Sequence, residues 1–108
     1  MRFCTRLICA ATLSALAATP LMAAELTGTL KKIKESGTIV LGNRDSSIPF
    51  SYLDNSQKPI GYSVDLANKV AEQVKKELKM PNLKVRYNLV TSQTRIPLVQ
   101  NGTVDLEC

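Results

Sequence analysis

The stretch that most constrains the fold is "TIVLG", Thr38 to Gly42, which follows Gly37. Its β-branched and apolar residues run without polar alternation. A strand with one wet face alternates; a continuous run of this kind is a strand buried on both faces, as in a parallel sheet covered by helices. The flanking periodicities agree. Leu26, Leu30 and Ile33 recur at helical spacing in "ELTGTLKKIKESG", and Gly37 is a natural C-terminal stop. The clearest helix is "SVDLANKVAEQVKKELKM". Leu66, Val70, Val74 and Leu78 form its apolar stripe, widened by Ala67 and Ala71, with Ser63 as N-cap, Asp65 in the first turn and Pro81 as the end.

Beyond that helix, "LKVRYNLV" alternates Leu83, Val85, Tyr87 and Leu89 with polar residues and reads as a strand. "TRIPLVQNG" is a short helix opening near Thr94, with Pro97 tolerated in its first turn and Gly102 as stop. "TVDLEC" is a last strand. Between the first strand and the long helix lies a hairpin-like excursion: a polar loop "NRDSSIP", a short strand "FSYL" and a turn "DNSQKPIGY". Strands alternating with helices predict an α/β fold, with a mainly parallel sheet flanked by helices on both faces.

Residues 1–24 have the layout of a secretory signal peptide: Arg2 and Arg6, an uncharged apolar run from Leu7 to Leu21, and small residues for cleavage after Ala23 or Ala24. The apolar run is short for a membrane span. Without this leader the 14 basic residues fall to 12 against 9 acidic, a net charge of +3. The lysines are dispersed and not interleaved with aromatics, so no nucleic-acid partner is expected. Cys4 and Cys9 leave with the leader. Cys108 remains as an odd cysteine in an oxidising compartment, which implies a missing partner or a reactive thiol; its terminal position favours the partner.

In open α/β sheets ligands sit beyond the carboxyl ends of the strands. Two loops occupy that position, "GNRDSS" and "TSQTR", and each offers one arginine among hydroxyls. These are Arg44 with Ser46 and Ser47, and Arg95 with Thr91, Ser92 and Thr94. Arg95 has the wrong charge for a helix start. An anion lying between it and the free N–H groups would relieve that repulsion, and its planar fork matches a carboxylate. The competing expectation is that Arg44 and Arg95 pair with Asp45, Asp105 or Glu107. There is no histidine, no nucleophile–base pair, no nucleotide loop and no cysteine at zinc spacing, so neither catalytic residues, cofactor nor metal is expected. The sequon at Asn101 carries little weight, because Gly102 is explained as a helix stop.

Two motifs then become familiar, Gly42 to Tyr52 ("GNRDSSIPFSY") and Thr91 to Asp105 ("TSQTRIPLVQNGTVD"). With the segment from about Leu26 onward, they resemble the family 3 extracellular solute-binding proteins, and within them the glutamate/aspartate periplasmic binding proteins of ABC importers. The resemblance implies part of the first lobe of a periplasmic-binding-protein-like type II fold over residues 25–108. It also implies Arg44, Ser92 and Arg95 as holders of an acidic side-chain carboxylate, with Ser46, Ser47 and Thr91 in contact or support. A permease in the inner membrane, a periplasmic location and a monomeric full-length state follow from it as well. Thr94 departs from the asparagine expected there. Family members are much longer, so the chain is expected to be an N-terminal fragment that does not bind ligand well alone, with any disulfide partner of Cys108 outside it. The alternatives are an enzyme on the same fold, of the dehydratase or lytic transglycosylase type, and the sensory domain of a membrane receptor.

Overall fold

The computed structural model describes residues 25–108; the leader assigned to residues 1–24 lies outside the described residues. The chain begins with α1 (Gly28–Ser36), which Gly37 ends in the left-handed region at φ 70°. There follow β1 (Thr38–Asn43), β2 (Ser46–Ser47), β3 (Ser51–Leu53) and β4 (Pro59–Ile60). Helix α2 (Tyr62–Glu77), β5 (Lys84–Leu89), α3 (Arg95–Gln100) and β6 (Leu106–Glu107) complete it.

β1 is the centre of a three-stranded sheet ordered β5-β1-β6, and both of its pairings are parallel. The run expected to be buried on both faces has a neighbour on each edge, but Thr38 and Val40 are only half-buried. Ile39 and Leu41 on one face meet Ile33 of α1, Ala67, Ala71 and Leu78 of the α2 segment, and Leu83 in a single core cluster. On the opposite face, Glu107 and Val104 lie over Gly42. The excursion after β1 is a second, antiparallel sheet in the order β2-β3-β4. Its two-residue strands β2 and β4 lie in segments expected to be loop and turn, because pairs that short carry no periodicity.

Three local expectations are corrected. The buried face of α2 is Val64, Ala67 and Ala71, continuing to Leu78, while Leu66 and Val70 remain 40% and 44% exposed. The stripe is turned because alanines let the helix come close to the sheet, whereas Leu66 and Val70 on the contact line would hold it off. Ser63 is not the N-cap. Gly61 occupies that position, and the first N–H groups of α2 are satisfied by loop carbonyls: Tyr62 N donates to Pro49 O at 3.0 Å and Ser63 N to Phe50 O at 2.8 Å. The Ile48–Pro49 peptide in that loop is cis. Leu83, just before β5, is buried and Val85 packs against the core, but Tyr87 and Leu89 are exposed, because the core lies under the amino-terminal end of this edge strand.

The last strand starts only at Leu106 because Asp105, just before it, meets β1 with its side chain. Its Oδ2 accepts Val40 N at 2.9 Å and its Oδ1 accepts Lys32 Nζ at 2.9 Å; Lys32 also reaches Gly102 O. The Asp105 side chain is 2% exposed and that of Lys32 is half-exposed. Asp105→Ala should therefore cost about 2–3 kcal/mol in urea unfolding, since it strands a backbone donor and a cation. Lys32→Met, which leaves the buried carboxylate with only the Val40 N–H, should cost less, about 1–2 kcal/mol.

Candidate functional site

The register brings the carboxyl ends of all three parallel strands to one edge. Asn43 stands opposite Leu89, and Gly42 opposite Glu107. The loops after β1 and β5 leave from that edge side by side, tied where they begin by Val90 N donating to Asn43 O at 2.8 Å.

The first loop is pinned by one buried hydroxyl. Ser51 Oγ accepts Arg44 N at 2.8 Å and donates to Arg44 O at 3.0 Å, which fixes the Arg44 backbone. The Arg44 guanidinium forms no ion pair among the described residues. Ser46 donates to Asp45 Oδ1 at 3.1 Å at the surface, and Ser47 is paired with Ser51 through β2 and β3.

The second loop carries a reciprocal cap. Thr94 N donates to Thr91 Oγ1 at 3.2 Å and Thr91 N to Thr94 Oγ1 at 2.9 Å, the geometry of a capping box. Arg95 N then donates to Thr91 O at 3.0 Å. Thr94 holds the cap position before α3, but its hydroxyl bonds back to Thr91 and not into the helix, and helical hydrogen bonding already begins at Thr91. The Thr91 hydroxyl is engaged in that box, while Ser92 and Gln93 stand exposed at the turn.

Ser92 and Arg95 come together on the wall of an open groove of about 580 Å³, with Ile96, Val99, Leu106 and Glu107. Arg44 is not part of that wall; it stands in the adjacent loop. Arg95 is not a bare cation. Its Nε donates to Glu107 Oε2 at 2.8 Å, and Nη2 donates to the same oxygen. The Glu107 side chain is 6% exposed and that of Arg95 41%. The competing expectation of an internal pair therefore holds for Arg95, while Arg44 forms none of those pairs. Glu107 is the site residue that the motifs did not bring forward. Its signal was its place as the one acidic residue at the end of a ligand-facing strand.

Cys108 is exposed and free among the described residues. No group of acidic, cysteine or histidine side chains among them is arranged to hold a metal ion, and no described helix is long and apolar enough to cross a membrane.

A model of the bacterial extracellular solute-binding proteins, family 3, matches residues 39–108. The L-glutamate/L-aspartate-binding protein of Pseudomonas aeruginosa is 69% identical over 109 residues, taking in 100% of this chain and 36% of that protein. The glutamate/aspartate import solute-binding protein of Escherichia coli is 58% identical over 80 residues, 74% of this chain and 26% of its own length. Among solved structures, the cysteine-binding protein of Campylobacter jejuni aligns with a TM-score of 0.59 at 31% identity, over 72% of this chain and 30% of that one. The chain spans about a quarter to a third of the length of the curated relatives it matches.

Proposed function

The chain belongs to the bacterial extracellular solute-binding proteins of family 3, and from that premise we propose that it contributes one wall of a site that captures glutamate or aspartate for delivery to an ABC permease. The observation that carries this reading is the pair of arginines at the carboxyl edge of the sheet. Arg44 has no acidic partner among the described residues, and Arg95, partly exposed, lines the groove beside Ser92. Two such cations suit a side-chain carboxylate and disfavour an amide, which leaves charged donors unmatched. The names of the Pseudomonas and Escherichia relatives support the same ligand class. In this reading residues 1–24 direct export, and the protein works as a monomer in the periplasm.

Capture is favoured over catalysis because Glu107, the acidic group at the strand end, is buried and committed to Arg95. A general base needs access to the proton it removes.

Calorimetry on the full natural chain tests the proposal. Glutamate should bind at least about 30-fold more tightly than glutamine, the low end of what an unmatched charged group costs. Arg44→Ala should remove most of that difference while changing glutamine little. Equal affinity for both ligands in the unmodified protein would sink the acidic-ligand assignment.

A further inference from the structure

Glu107 sits under the groove in a costly way. Both contacts from Arg95 fall on Oε2, while Oε1 is buried with no partner among the described residues. A carboxylate oxygen withdrawn from water and given no donor is unfavourable. The fold nevertheless makes room for this one. Gly42 of the central strand is in register with Glu107, and a Cβ at position 42 would stand 2.7 Å from Glu107 Cγ.

The guanidinium of Arg95 has two forked edges and five N–H donors. One oxygen of Glu107 fills the Nε/Nη2 edge. The Nη1/Nη2 edge remains, on a side chain 41% exposed, along the wall it shares with Ser92. Bidentate binding of a carboxylate needs that planar edge held in one orientation.

The geometry points to Glu107 as a positioning residue that occupies the inner edge of Arg95 and so presents its outer fork to the carboxylate of an acidic amino acid. This rests on the acidic-ligand role proposed above. The pair is also neutral as a whole, so Arg44 supplies the net charge that an incoming carboxylate meets.

The test compares the full natural chain with its Glu107→Gln and Glu107→Ala variants by two measurements. One is glutamate affinity by calorimetry; the other is solvent exchange of the Arg95 Nε–H by nitrogen-resolved NMR. Glu107→Ala should weaken glutamate about tenfold, the loss of an oriented charge-assisted fork, and make the Nε–H exchange fast. Glu107→Gln, whose amide oxygen accepts the same two bonds, should stay within about threefold of the parent and keep exchange slow. The assignment is overturned if the alanine variant keeps both parental affinity and slow exchange. It is equally overturned if the glutamine variant falls as far as alanine, because charge alone would then matter. A parent that does not prefer glutamate to glutamine defeats the acidic-ligand role instead. Exchange then decides the positioning claim, and equal rates in the parent and the alanine variant refute it. Should Glu107→Ala fail to fold, Gly42→Ala displaces the same side chain with its charge intact, and the same pair of losses is expected.

Discussion

Arg95→Met is expected to lower the unfolding free energy of the chain by about 2–3 kcal/mol and to abolish discrimination between glutamate and glutamine. The stability loss follows from the asymmetry of the pair: Glu107 is buried and Arg95 is partly exposed. Removing the arginine leaves a buried carboxylate with no donor on either oxygen among the described residues. Breaking a buried pair in this way costs about 3–5 kcal/mol, reduced here because one partner still meets water. The double variant Arg95→Met/Glu107→Leu should recover most of the lost stability, since it removes the stranded charge, and should still fail to discriminate. Urea unfolding of the parent, the single and the double variant reads the first effect. A double variant as unstable as the single one would show that the loss comes from packing and not from the exposed imbalance of charge.

Gly61→Ala is expected to be the most damaging small substitution in the described chain, at about 3–5 kcal/mol. Gly61 has φ 124° and ψ 175°, a region that is almost exclusively glycine's. A Cβ there would overlap the Phe50 carbonyl and come within 2.9 Å of Pro49 O. Those neighbours are backbone and cannot swing aside. They are also the acceptors of the first N–H groups of α2, so any shift that relieves the clash loosens the docking of the helix on the small sheet. A fall in melting temperature of about 15 °C or more should result for a domain of this size. Gly28→Ala is the control: φ is also positive, at 61°, but nothing lies within 4 Å of the added carbon, so about 1 kcal/mol is expected from conformation alone.

The elements that sequence revealed are those whose cause is local. Thr38 to Gly42 announces the central strand through its own composition, though Thr38 and Val40 are half-buried, and Gly37 announces a helix stop through the conformation it permits. The rotation of α2 was not legible. Hydrophobicity favours Leu66 and Val70, while the contact is decided by how near Ala67 and Ala71 allow the sheet to come. Thr94 holds the cap position, yet its hydroxyl turns back to Thr91, because two threonines three residues apart satisfy each other's backbone. Arg44, Ser92 and Arg95 were named from loop position and motif. That an arginine would pair with Glu107 was one of the expected pairings; which arginine meets it depends on the pairing of β6 with β1, a relation between distant segments that spacing along the chain does not express.

The order in which the sheet is assembled has a consequence for the chain as it is being made. β1 is the first strand synthesised and also the central one, yet Asp105, which accepts its Val40 N–H, comes 65 positions later. At ribosomal speeds that interval is roughly 3–13 s. For that time an apolar strand waits with one edge open, and α1 waits for the carboxylate that Lys32 will meet. Long-range parallel closure of this kind is slow and exposes the nascent polypeptide to wrong pairings. The central position of β1 thus makes a holding chaperone more valuable to this chain than to a helical one of equal size.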